Sequence, residues 1–109
     1  IEIIPELGLK SEKLLKKLGY KNIKVKIGDG YRGWKKYSPY HCIIVTCAPE
    51  RIPEPLIEQL QEGGRMVIPV GDYFQELILI KKLKGEIKKK SIIPVRFVPM
   101  KGEIEKLKK

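Results

Sequence analysis

Two short, almost purely apolar runs, Cys42–Cys47 and Met66–Val70, flank an amphipathic stretch that starts at Pro53. A strand that is apolar at successive positions has to be covered on both faces, which is the habit of parallel sheets flanked by helices. Between the runs, Leu56, Ile57 and Leu60 recur at helical spacing, Pro53 suits a helix start, and Gly63-Gly64 supplies a stop. Strand, helix and strand in this order predict a parallel βαβ unit.

The remainder extends that unit in both directions. Residues 1–3 read as the end of a strand. Residues 5–18 read as a helix with Leu7, Leu14, Leu15 and Leu18 on one face, Lys10, Lys13, Lys16 and Lys17 on the other, and Gly19 as its stop. Gly8 and Ser11 weaken its first turn and argue for a later start. Ile23, Val25 and Ile27 alternate through a strand at 22–27, followed by a loop over 29–41 rich in aromatics and glycine. Pro69 and Gly71 close the second apolar run, and two longer strand patterns, 74–83 and 86–98, flank Lys84-Gly85 as a hairpin. The predicted order is β-α-β-β-α-β followed by an antiparallel pair. That is an α/β fold with the layout of a Rossmann-like methyltransferase sheet and a C-terminal antiparallel β-hairpin. It covers residues 1–100, and a basic tail at 101–109 forms a frayed helix.

Composition narrows the classes. A chain of 109 residues is one small domain that buries roughly two-thirds of its unfolded surface. Its 42% hydrophobic and 33% charged residues describe a globular chain. No apolar run nears the roughly 20 residues of a membrane span, and no signal-peptide pattern opens the sequence, so a cytoplasmic location is expected. The formal charge of +10 raises the question of a nucleic-acid partner. The lysines, however, are scattered over Lys16-Lys17, Lys35-Lys36, Lys81-Lys82, Lys88–Lys90 and Lys106–Lys109, which favours a solvated surface. Cys42 and Cys47 lie five apart in one predicted strand, on opposite faces and roughly 16 Å apart. A disulfide spans no more than about 7 Å. Both are therefore read as reduced, buried thiols, with no metal site.

The chemistry concentrates in the turn Gly28-Asp29-Gly30, at the carboxyl end of a predicted strand. Ligands bind at such ends in open α/β sheets, and glycine permits close backbone approach. Asp29 can accept a hydrogen bond from an adenine amino group or cap its own turn. Glu2, at the end of the first partial strand, can hold ribose hydroxyls or stand as a surface carboxylate at a helix start.

The ordered series Leu18-Gly19-Tyr20, Ile27-Gly28-Asp29-Gly30, Ile52-Pro53-Glu54-Pro55-Leu56, Gly63-Gly64-Arg65, Pro69-Val70-Gly71 and Arg96-Phe97-Val98-Pro99 closely resembles the C-terminal half of protein-L-isoaspartate O-methyltransferases. The resemblance runs to about Pro99 or Met100. It implies S-adenosyl-L-methionine as cofactor, the carboxyl group of L-isoaspartyl residues in damaged proteins as methyl acceptor, and protein repair as the role. By matching positions, Glu2 holds the cofactor ribose, Asp29 and Gly30 meet its adenine, and Thr46 lines the cofactor cleft. Arg96, Phe97 and Val98 run beside the isoaspartyl peptide, although alternation alone reads Phe97 and Val98 as strand packing. Methyl transfer from a sulfonium is an in-line displacement governed by alignment and desolvation, so no catalytic Ser, Cys or His is required.

Two departures accompany the resemblance. His41 follows Tyr40 where the family commonly has Asp, and an imidazole cannot stand in for an acceptor-only carboxylate. The family's glycine-rich cofactor loop and N-terminal substrate segment lie before the point matched by Ile1. The sheet is therefore expected to be incomplete, with open edges that invite a partner, and the 109 residues alone are expected to bind cofactor poorly. The alternative class is a non-catalytic interaction module or the complementing half of a split methyltransferase.

Overall fold

A computed structural model describes residues 1–107. Helix α1 (Pro5–Lys17) is followed by two single 3-10 turns at Gly30–Arg32 and Lys35–Tyr37. Then come β1 (Tyr40–Ile44), α2 (Glu54–Glu58), β2 (Leu60–Gly71), β3 (Gln75–Leu83), β4 (Glu86–Val95) and α3 (Glu103–Lys106). The sheet order is β1-β2-β3-β4. Strands β1 and β2 are parallel, as their α2 crossover requires, and β2, β3 and β4 form an antiparallel meander. The sheet is thus mixed α/β, and its parallel character is confined to one pair.

One sheet face is the core. Met66, Ile68 and Ile80 are fully buried and pack with Leu56 of α2 and Leu60, flanked by Ile43, Val45, Ile78 and Ile87. Burying a side chain of this size contributes about 1.5–3 kcal/mol, so this cluster dominates the stability of the fold. The β3–β4 hairpin closes on the two-residue turn Lys84-Gly85, with φ of 53° and 74°. Left-handed values at both positions match the twist of the flanking strands.

Several boundaries differ from the sequence expectation. Helix α1 starts at Pro5, because proline at the first helical position has its φ already set. Gly8 does not delay the start but forms the contact surface: a Cβ there would lie 2.7 Å from Ile27 Cγ1. The helix ends in a Schellman arrangement, with Tyr20 N–H donating to Leu15 O and Gly19 N–H to Lys16 O. Residues 1–3 and 22–27 do not form strands, and only a parallel bridge joins Glu2 to Ile27. Alternation alone cannot hold a strand that lacks a ladder of neighbours.

Helix α2 ends at Glu58, not at Gly63-Gly64. Those glycines sit inside β2, where the pairing with β1 jumps from Tyr40↔Leu60 to Cys42↔Arg65. A Cβ on Gly64 would lie 2.7 Å from Gln61 O and 3.0 Å from His41 O, so glycine serves an irregularity in the strand. Pro69 also lies within β2, opposite Leu77, and β4 stops at Val95 instead of continuing to residue 98.

The expectation that Cys42–Cys47 is buried on both faces fails. β1 ends at Ile44, which is 77% exposed, and Cys42 is exposed as well. Among the described residues β1 pairs only with β2, and the face carrying Cys42 and Ile44 has no covering layer. Both cysteines are free thiols, but only Cys47 is partly buried. The predicted frayed tail begins instead with α3, whose Ile104 is buried; Lys108 and Lys109 lie outside the described residues.

Candidate functional site

The carboxyl ends of β1 and β2 meet three other segments. Past β1, Ala48 N–H donates to Val98 O at 2.7 Å and Met100 N–H donates to Ala48 O at 3.0 Å. This draws the chain after β4 across the strand ends. Gly71 N–H donates to Pro49 O at 2.9 Å and ties down the end of β2. On the other side, Glu2 N–H donates to Lys26 O and Gly28 N–H to Glu2 O, which sets Glu2 beside the Gly28-Asp29-Gly30 turn.

These segments enclose an open cleft of about 330 Å³ whose walls include Glu2, Gly30, Thr46, Cys47 and Val98. That volume lies at the small end of ligand pockets, roughly 300–1,000 Å³. Of the residues expected to act together, the structure gathers Glu2, Gly30, Thr46 and Val98 around one space. Glu2 is half-buried, and one carboxylate oxygen accepts a weak hydrogen bond from Ile4 N–H at 3.2 Å. Its remaining acceptor capacity suits hydroxyl donors such as those of a ribose.

Gly30 is informative because nothing structural demands it. Its φ is not in the left-handed region, and a Cβ there would find no atom within 4 Å. The missing side chain leaves free room in the cleft wall, as a closely approaching planar group requires.

Asp29 stands behind that wall and is more heavily used than its turn suggests. One carboxylate oxygen accepts from Tyr31 N–H at 2.9 Å and the other from Glu103 N–H at 2.7 Å. The carboxylate therefore caps the Gly30–Arg32 turn and α3 together. Gly102 makes this possible: its φ is +106°, and a Cβ would sit 2.4 Å from an Asp29 oxygen. An ion pair of 3.0 Å between Arg32 and Glu103 lies over the same junction.

Cys47 lines the same cleft as Glu2. Its pKa is raised by burial first and then by Glu2 and Asp29, so the sulfur stays a neutral thiol and is poorly suited to nucleophilic attack.

Arg96 and Phe97 do not line the cleft. Arg96 is exposed, and Phe97 is half-buried and held by its backbone. That hold is the work of Gln75, a buried residue the sequence reading passed over. Its amide accepts from Phe97 N–H at 2.7 Å and donates to Phe97 O at 3.0 Å. Gln59, also buried, does the same for the aromatic loop by accepting from Trp34 N–H at 2.9 Å and donating to Arg32 O at 2.8 Å. In each case a side-chain amide replaces a missing strand partner. The available signal was an uncharged amide at the edge of an apolar run.

His41, the departure from the family pattern, is exposed and lines no part of the cleft. Among the described residues no group of three or more His, Cys, Asp or Glu is gathered for a metal ion, and no helix is long and apolar enough to cross a membrane.

A parallel pair with its crossover helix, an antiparallel extension and a cleft at the strand ends define part of a Rossmann-like methyltransferase fold. Comparison with known proteins narrows the class. Residues 1–105 match the family profile of Protein-L-isoaspartate(D-aspartate) O-methyltransferase. The chain is 53% identical over 104 residues to protein-L-isoaspartate O-methyltransferase 2 of Archaeoglobus fulgidus, covering 94% of this chain and 48% of that protein. It is 52% identical over 106 residues to protein-L-isoaspartate O-methyltransferase 2 of a Polaromonas species, covering 94% and 50%.

Among solved structures, one protein-L-isoaspartate O-methyltransferase superposes with a TM-score of 0.89 at 29% identity, over 94% of this chain and 33% of that one. The beta-aspartate methyltransferase of Plasmodium falciparum, in complex with S-adenosyl-L-homocysteine, superposes with a TM-score of 0.79 at 28% identity, over 92% and 50%. The chain belongs to the protein-L-isoaspartate O-methyltransferase family. It spans about half the length of the curated relatives it matches.

Proposed function

We propose that this chain supplies the adenosine side of an S-adenosyl-L-methionine site, and the acceptor-side strand segment, of an enzyme that methylates the carboxyl group of L-isoaspartyl residues in damaged proteins. The observation that carries the reading is the cleft at the strand ends, where Glu2, Gly30 and Thr46 converge in a chain of this family. The cofactor, when bound, supplies a methyl group on a sulfonium. Glu2 accepts hydrogen bonds from its ribose hydroxyls, Gly30 leaves room for its adenine, and Asp29 holds the turn that presents Gly30. Thr46 borders the same space.

Arg96, Phe97 and Val98 run beside the acceptor peptide. With Gln75 occupying the Phe97 N–H and C=O, that segment keeps its course by internal hydrogen bonds and offers its exposed Val98 to a peptide. The acceptor carboxylate is itself the nucleophile, so these residues act by alignment and exclusion of water.

The open edge of β1, the exposed Leu7 and Leu14 of α1 and the exposed Leu18 at its C-cap support a complementary segment that carries a glycine-rich cofactor loop. They are also what favours the second reading, an interaction module that pairs with another chain. The two free thiols fit a cytoplasmic setting.

Methyl transfer to an L-isoaspartyl peptide and to the same peptide with aspartate, by the protein containing this chain, tests the proposal. Activity on the isoaspartyl peptide alone, raised KM for cofactor in Gly30→Val and Glu2→Gln, and weak S-adenosyl-L-homocysteine binding by the 109 residues alone are expected. Loss of activity with unchanged cofactor KM in both variants contradicts the site. Absence of any methylation by the parent protein favours the interaction module.

A further inference from the structure

The end of the sheet opposite the cleft carries a charge arrangement that the methyltransferase reading leaves unused. Arg65 of β2 pairs directly with Lys81 of β3, and Lys81 pairs directly with Lys88 of β4. Three cations therefore stand abreast on three adjacent strands. Lys90, two residues on from Lys88 and opposite Leu79, points to the same face by the alternation of the strand.

All four are exposed, and none forms an ion pair among the described residues. The nearby acids are engaged elsewhere or stand apart. Glu62 accepts from the N–H groups of Lys84 and Gly85, and Glu76 accepts from the Ser91 hydroxyl. Glu86 lies opposite Leu83 at the hairpin end. Like charges directly across a sheet are destabilising, so this row costs the isolated fold stability unless an anion neutralises it.

A groove of about 160 Å³ runs along the β3–β4 part of the row, lined by Leu79, Lys81, Lys88, Lys89 and Lys90. It is short, carries no aromatic side chain for a base to stack on, and sits among several point charges. We propose that this groove binds a small, multiply charged phosphate compound at a site separate from the cofactor cleft. Charge count favours phosphate over carboxylate, since one phosphate group brings about −1.5 to −2 at pH 7. Lysine is well suited to phosphate as a point charge. The absence of stacking partners argues against a nucleic-acid strand, which uses aromatic platforms as well as charge.

The test is calorimetric titration of the chain and of Lys81→Gln/Lys88→Gln with sodium tripolyphosphate, citrate and a single-stranded oligonucleotide at about 0.15 M salt. Thermal melts accompany each titration. The expected result is one tripolyphosphate per chain, bound about tenfold more weakly by the double variant. Tripolyphosphate raises the melting temperature of the parent chain, and the anion-free double variant melts higher than the anion-free parent because the opposed charges are gone. That last readout also guards against a folding defect, which moves it the other way. Equal tripolyphosphate binding by parent and variant, or none by the parent, overturns the site. Citrate binding as tight as tripolyphosphate overturns the phosphate class, and tighter binding of the oligonucleotide overturns the small ligand.

Discussion

The first 47 residues and the remainder of this chain are built on different terms. From Ala48 onward the protein has a core: every buried hydrophobic side chain, from Ala48 through Met66, Ile68 and Ile80 to Ile104, lies there. Before Ala48 only Gly8 and Gly33 are buried. Leu7 and Leu14 of α1 and Leu18 at its C-cap are 47%, 52% and 63% exposed, although their spacing is that of a well-formed amphipathic helix. The radius of gyration, 14.5 Å, exceeds the roughly 13 Å of a compact domain of this length. An apolar pattern shows which face an element means to bury, but whether that face is buried depends on what lies opposite.

The sharpest way to break this contrast is one truncation in each half. Ile68→Ala removes a fully buried side chain and should cost about 2–5 kcal/mol by denaturant unfolding. Leu14→Ala on the exposed stripe should stay within about 0.5 kcal/mol. Equal losses would mean that α1 is as well packed as β2.

Gln75→Ala comes next. It leaves the N–H and C=O of Phe97 without their partner and should cost about 1–3 kcal/mol, with faster amide exchange at Phe97 than in the parent. A stable variant with unchanged exchange would show that the β4 end needs no such clamp.

Gly102→Ala tests a side-chain link between the halves, the Asp29 contact to α3. Its φ of +106° and the clash with Asp29 should detach α3 from the turn at a cost of about 1 kcal/mol, read as lost amide protection at Glu103. Unchanged protection there would remove Asp29 from its capping role.

The smallest effect is a pH dependence at the hairpin. The Glu62 carboxyl is held below its usual value, chiefly by the N–H of Gly85 and then by that of Lys84. Because the folded value is depressed, the turn's support is present above the unfolded pKa and is lost as pH falls through the folded one. Amide exchange at Gly85 should therefore quicken in acid relative to its intrinsic rate, and Glu62→Gln should flatten that dependence.

The same contrast explains what was legible in the sequence. The helix stop at Gly19, the α2 start after Pro53 and the Lys84-Gly85 hairpin were legible because each depends on local backbone chemistry. The strand at 22–27 and the double-sided burial of Cys42–Cys47 were not, because they depend on neighbours that the local pattern does not specify. Gly63-Gly64 looked like a helix stop and proved to be a strand irregularity, since glycine serves both. At the site, the Gly28-Asp29-Gly30 turn drew notice in the sequence by its glycines, and the structure sets its Gly30 in the cleft wall. The attachment of Asp29 to Glu103, 74 residues away, and the clamps made by Gln59 and Gln75 were not, because nothing local links such distant groups.

Native-state hydrogen exchange tests the contrast most directly. Amides of Met66, Ile68 and Ile80 should exchange only through global unfolding, while those of α1 and residues 22–27 exchange through openings of much lower free energy. Protection in α1 equal to that of β2 and β3 would contradict the account.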